Sequence, residues 1–60
     1  MKNEEQILEI ATLEYLLYIK LRDDSQNYYL HDWYDAKAIA LIKFMEKLGY
    51  KWDDDCQCFL

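Results

Sequence analysis

The side chains best suited to chemistry are two cysteines near the end of the chain and one histidine in its middle. Cys56 and Cys58 have a single residue between them, and a disulfide across that spacing closes a strained ring. A metal site would need two further ligands, and His31, the only histidine, lies far away in sequence. We therefore expect both cysteines to be free thiols that pack as small apolar groups. We expect His31 to pack or hydrogen-bond locally, because no third group that would orient a Cys–His pair can be identified.

A carboxylate, Glu14, falls inside the apolar arc of the first predicted helix. A buried charge costs several kcal/mol unless it is paired. Glu14 either forms a salt bridge with a lysine of the second helix (Lys37, Lys43 or Lys47), lies at the rim of the arc, or makes a polar contact in an interface. Acid–base catalysis is the least favoured reading, because no second carboxylate or nucleophile is placed with it.

Three consecutive aspartates, Asp53, Asp54 and Asp55, form the other carboxylate cluster. They lack the spaced oxygen ligands and the glycine of a calcium loop, so we expect a solvated turn. The sequence predicts no catalytic residue, no cofactor and no metal site.

Composition narrows the class of partner. The 60 residues are 53% hydrophobic, with six Tyr, two Trp and two Phe, and the net charge is −5. That charge disfavours direct binding to nucleic acid or to an anionic membrane, and the apolar stretches are broken by charges and too short to span a bilayer. With no secretory signal in its acidic start, the chain is expected to be cytoplasmic.

The elements that position these side chains are two helices. Asn3 is suited to cap a first helix over residues 4–21, and at 100° per residue its apolar side chains cover an arc of about 200°, twice that of an ordinary surface helix. A 60-residue domain hides too little surface to cover such an arc. We therefore expect a homodimer or higher homo-oligomer that buries one set of side chains on this helix: Ile7, Ile10, Glu14, Leu17 and Leu21.

The rest of the chain is predicted to be a second helix and a hairpin. Asp32 is suited to cap a helix over residues 33–48, which Gly49 ends, and residues 28–31 are read as a short extended piece. Residues 50–52 and 56–60 alternate as the strands of a small hairpin around the aspartates. The expected fold is mostly α, or α+β if the C-terminal hairpin forms, in a single domain.

Residues 29–50 carry a resemblance: Asp32-Trp33 opens a helix that closes with Glu46-Lys47-Leu48-Gly49-Tyr50 and leads into a strand. This pattern is similar to that of short bacteriophage proteins, in particular the phage ABA-sandwich grouping. The resemblance covers about a third of the chain, and the apolar first helix departs from the grouping. It implies a phage origin, and small acidic phage proteins of this kind often bind and inhibit host proteins, including defence systems.

The function favoured by the sequence is non-enzymatic binding to a bacterial host protein, which the chain inhibits or modulates. The residues expected to contact that partner are aromatic or acidic: Tyr28, Tyr29, Trp33, Trp52, Asp53, Asp54 and Asp55. Two alternatives stay open. The carboxylates could imitate a nucleic acid and block a basic groove, or the chain could be a structural or assembly protein of a virion.

Overall fold

The computed structural model describes residues 3–60 and consists of two helices followed by a two-stranded hairpin. Helix α1 spans Glu4–Asp24 and helix α2 spans Tyr28–Lys47. Strands β1 (Trp52–Asp53) and β2 (Cys58–Phe59) pair antiparallel. The predicted fold class, mostly α with a C-terminal β-hairpin, is confirmed.

Helix α1 begins where its cap predicts. The Asn3 side chain accepts a hydrogen bond from the backbone N–H of Gln6 at 2.9 Å, which satisfies one of the free N–H groups of the first turn. The helix runs one turn beyond the predicted end at Leu21, since Arg22, Asp23 and Asp24 include neither glycine nor proline.

Helix α2 begins five residues earlier than predicted, so the assignment of Asp32 as its cap is wrong. Asn27 is the cap, and its Oδ1 accepts from the backbone N–H groups of Tyr29 at 2.8 Å and Leu30 at 3.3 Å. Asn and Asp are equally good caps, and the earlier cap gains another turn of backbone hydrogen bonds. Residues 28–31 are therefore helical, and the extended piece expected there does not form.

The end of α2 follows the prediction for Gly49. Gly49 has a φ of +97°, a conformation that costs glycine little. Its N–H donates to the carbonyl of Glu46 and the N–H of Tyr50 donates to that of Met45, both at 3.0 Å. These two bonds form a Schellman motif, which turns the chain back toward the helices.

The hairpin is shorter than predicted and is closed by a disulfide. Trp52 pairs with Phe59 and Asp53 with Cys58, so Asp53 belongs to a strand and the turn covers residues 54–57. Cys56 is bonded to Cys58, with their Cα atoms 5.4 Å apart. The expectation of free thiols is therefore wrong, because the left-handed conformation of Gln57 (φ +56°) brings the two side chains together.

The core lies where the hairpin packs onto the helix pair. Its buried centre is formed by Ala11, Met45 and Phe59. The centroid of the Trp52 ring lies 4.3 Å from that of Tyr15, with the rings tilted, and 5.1 Å from that of Phe59, in an edge-to-face arrangement. The backbone N–H of Phe59 donates to the Thr12 hydroxyl at 3.2 Å, which anchors β2 to α1.

At the other end of the pair, an ion pair links the two helices. Arg22 Nη1 lies 2.8 Å from Asp35 Oδ1. The Arg22 guanidinium donates hydrogen bonds to Asp35 and to the adjacent Asp23. These bonds, the one to Asp35 having the larger effect, raise the pKa of Arg22 above its ordinary value. The pair fixes the start of α2 against the end of α1.

Candidate protein-binding surface

The hairpin covers only one side of helix α1. Thr12, which bonds to β2, marks the covered side. At 100° per residue, Ile10 and Leu17 point roughly opposite to Thr12. Both side chains are 47% exposed. Helix α1 therefore has two apolar faces, one against the hairpin and one against solvent.

Helix α2 presents its own exposed apolar residues on the same side. Ile42 packs into the core beneath the hairpin, and by helical geometry Trp33 and Phe44 point away from it. Because α1 and α2 are antiparallel neighbours, their hairpin-distal sides adjoin. We call this combined surface the open face, and its exposed members are Ile7, Ile10, Leu17, Leu30, Trp33, Phe44 and Leu48.

The structure brings most of the predicted self-association residues onto the open face. Ile7, Ile10 and Leu17 are exposed and Leu21 is half-buried beside them. Glu14 is exposed among these apolar neighbours. Within residues 3–60 it forms no salt bridge, so the predicted pairing with Lys37, Lys43 or Lys47 does not occur. Tyr18 lies one turn further along the helix, and hydrogen bonding with the Glu14 carboxylate raises the pKa of the Tyr18 phenol.

The predicted partner-binding residues do not form one surface. Tyr28 and Tyr29 are 85% and 87% exposed in the first turn of α2, and Trp33 lies on the open face. Trp52 is half-buried in the core against Tyr15. The set is therefore divided between the start of α2 and the hairpin.

The acidic turn uses two of its carboxylates to hold its own shape. Asp53 Oδ1 accepts from the backbone N–H of Asp55, and Asp54 Oδ1 accepts from Trp52 Nε1, both at 2.9 Å. Asp54 and Asp55 are exposed, whereas Asp53 is half-buried. In the part of the chain that the structure describes, no group of three or more His, Cys, Asp or Glu side chains could hold a metal ion.

Within residues 3–60, the polar side-chain contact of His31 is with its neighbour in sequence, in agreement with the local role expected for it. Its Nδ1 lies 3.6 Å from Oδ1 of the adjacent Asp32, and its side chain is about half exposed. Cys56 lies in the hairpin turn and Cys58 in β2, whereas His31 is the fourth residue of α2.

Sequence reasoning missed the contribution of α2 to the open face. Leu30, Trp33, Lys37, Ala40 and Phe44 recur at alternating steps of three and four residues, the spacing of a coiled-coil seam. Starting the helix at Trp33 removed Leu30 from that pattern. The Lys37 ammonium lies 4.7 Å from the centroid of the Trp33 ring, so the charge within the seam rests on an aromatic neighbour.

Comparison of the chain with family models, curated proteins and solved structures found no match. The resemblance to phage proteins thus stays a prediction. Neither helix of the described residues is long and apolar enough to cross a membrane.

Proposed function

We propose that this chain is a non-enzymatic protein-binding module whose copies pair through the open face. The observation that carries the proposal is the exposure of seven large apolar side chains on one side of the helix pair. Fully burying one large apolar side chain contributes about 1.5–3 kcal/mol. Covering seven that are about half exposed therefore contributes roughly 5–10 kcal/mol per copy before the entropy of association is subtracted.

The partner that fits this surface best is a second copy of the chain. Two helix pairs laid face to face form a four-helix bundle, an arrangement that buries coiled-coil-like seams. The seam of α2 and the Ile7, Ile10 and Leu17 stripe of α1 would both be covered by the same contact. A closed two-fold pair uses the same face on both copies and leaves the hairpin and the exposed tyrosines free.

The second contact proposed is with a bacterial host protein, which the module inhibits or modulates in the host cytoplasm. The resemblance of residues 29–50 to phage proteins supports the kind of partner, and the exposure of Tyr28 and Tyr29 supports the surface. Tyrosine and tryptophan are enriched among the side chains that dominate binding energy. Because Asp53 and Asp54 are used within the turn, the tyrosines are the stronger candidates for this contact.

Host binding is tested by affinity capture from a bacterial lysate, with the captured protein purified and its affinity measured against matched variants. We expect replacing Tyr28 and Tyr29 by Ser to weaken binding at least tenfold, and Lys51→Ala, an exposed change at the hairpin, to leave it intact. Weak dependence on salt is expected for an aromatic contact. If the affinity instead falls steeply with salt and is lost in Asp54→Asn and Asp55→Asn, the chain would bind as a mimic of a nucleic acid rather than through the tyrosines.

A further inference from the structure

The hairpin turn contains a small covalent ring at the surface. Cys56 and Cys58 are bonded with only Gln57 between them, so the ring that the bond closes contains three residues. Cys56 is exposed and Cys58 is half-buried. Cys56 is therefore the more accessible of the two bonded residues.

Gln57, the residue inside the ring, has a conformation that side chains rarely adopt. Its φ is +56°, and within residues 3–60 the only other positive φ belongs to Gly49. The left-handed region crowds the Cβ of any residue other than glycine. Its amide Nε2 donates to the Asp54 carbonyl at 2.9 Å, which holds it across the turn. Strained backbone of this kind persists where the surroundings impose it, and it concentrates at functional sites.

We propose that Cys56–Cys58 is a reversible thiol–disulfide exchange site that accepts two electrons from an uncharged dithiol. A thiolate of the dithiol attacks Cys56 Sγ, the Cys56–Cys58 bond breaks, and Cys58 leaves as a thiolate that takes a proton from water. The second thiol of the reductant then attacks the mixed disulfide and releases Cys56. The dithiol becomes a disulfide and the chain gains two thiols.

The charges around the ring select the class of reductant. Asp54 and Asp55 are exposed carboxylates in the same turn, and like charges repel an anionic thiol. Glutathione carries a net negative charge besides that of its thiolate, whereas dithiothreitol does not. The site is therefore suited to a neutral dithiol and reacts more slowly with glutathione.

The redox state of the ring is coupled to the core. Phe59 follows Cys58 directly, is only 2% exposed and contacts Trp52. Reduction frees Gln57 from its left-handed conformation and loosens the strand that carries Phe59. Two-electron reduction is thus expected to change Trp52 fluorescence while the helices persist.

The test is equilibration of the folded chain with dithiothreitol redox buffers, with thiols counted by alkylation and mass spectrometry. The left-handed conformation is easier for Asn and harder for a β-branched residue. The equilibrium constant for reduction is therefore expected to be about fivefold higher for Gln57→Val than for Gln57→Asn, a matched pair because both variants lack the hydrogen bond from Gln57 to Asp54. Asp54→Asn with Asp55→Asn should speed reduction by glutathione about twofold and speed reduction by dithiothreitol by less, because the dithiothreitol thiolate carries no further negative charge.

Three results would overturn the proposal. The first is a bond that resists dithiothreitol until the chain is unfolded by urea. The second is an equilibrium constant that is the same for Gln57→Asn and Gln57→Val while circular dichroism reports both variants folded. The third is a reduced chain that does not re-form the bond when the oxidised buffer is restored.

Discussion

The two sides of the helix pair carry similarly apolar residues but differ in how far those residues are buried. On the covered side, Ala11, Met45 and Phe59 are buried and the aromatic rings of Tyr15 and Trp52 pack between the helices and the hairpin. On the open face, residues as apolar as these, such as Leu17 and Phe44, remain about half exposed. Within residues 3–60 the hairpin supplies the cover on one side, and the apolar side chains of the open face stay exposed. The degree of coverage by the hairpin, rather than residue composition, separates the core from the proposed binding surface.

The free energy gained by covering the open face can be compared with the net stability of a folded domain. Covering the seven half-exposed side chains of the open face contributes roughly 5–10 kcal/mol per copy before the entropy of association is subtracted. The net stability of an ordinary domain is about 5–15 kcal/mol. Because association entropy offsets much of the gross gain, the proposed pairing adds a smaller net amount to a fold that is itself marginally stable.

The largest effect is expected on the covered side. Phe59→Ala removes a side chain that is 2% exposed and should lower the free energy of unfolding by about 3–5 kcal/mol. Urea denaturation followed by circular dichroism measures the loss. The neighbouring Leu60→Ala, at a side chain that is 63% exposed, is the control and should change stability by less than about 0.5 kcal/mol. Equal losses at the two positions would mean that the hairpin is not a cover.

On the open face, substitution should affect association more than folding. Phe44→Gln is expected to weaken pairing by about 2 kcal/mol, or roughly thirtyfold, because buried aromatic residues dominate interface energies. Ile39→Gln is the matched control, since Ile39 is 46% exposed on the other side of α2. Sedimentation velocity at several concentrations measures both. If pairing survives Phe44→Gln and is lost only on a matching change in α1, such as Leu17→Gln, the interface is restricted to α1.

Features with signals inside one helical turn could be predicted from the sequence. Features that depend on a choice between two possible N-caps, or on contacts between residues distant in sequence, could not. Asn3 and Gly49 could be assigned because a cap and a left-handed glycine act within one turn. Asn27 and Asp32 are both good caps, and choosing between them required knowing that Tyr28–His31 would be helical. The disulfide depends on the conformation of Gln57, and the separation of Trp33 from Trp52 depends on which side the hairpin covers. Neither of these is encoded at a fixed sequence spacing.

A smaller effect tests where α2 begins. Asn27→Ala should cost about 1 kcal/mol of stability, because its side chain bonds to two backbone N–H groups of the first turn. Asp32→Ala, at the residue that the sequence favoured as the cap, should cost less than half of that, since Asp32 lies inside the helix. Thermal unfolding of both variants decides the matter. A larger loss for Asp32→Ala would place the start of α2 at Trp33.

The smallest effect concerns the link between the hairpin and the start of α1. The Tyr50 hydroxyl donates to Glu4 Oε1 at 2.9 Å, and this hydrogen bond raises the pKa of Tyr50 above its ordinary value of 10.0. A raised pKa means that the folded state favours the protonated phenol. The stabilisation is fully present below pH 10.0 and is lost as the pH rises through the raised pKa.

Unfolding of wild type and Tyr50→Phe across this pH range provides the measurement. Wild type should be slightly more stable than the variant at neutral pH and should lose that advantage in alkali. Tyr28→Phe, at an exposed tyrosine of α2, is the control for removing a tyrosine hydroxyl and should leave stability at neutral pH unchanged. A stability difference that does not depend on pH would remove the Glu4 contact from the account.

The central claim, that the open face is covered by a second copy, is tested most directly by sedimentation equilibrium of the native chain over a wide dilution series. The account predicts a two-copy species at high concentration that dissociates on dilution, with the unfolding midpoint falling in parallel. A species of one copy at every concentration, folded cooperatively and with the same midpoint throughout, would contradict it.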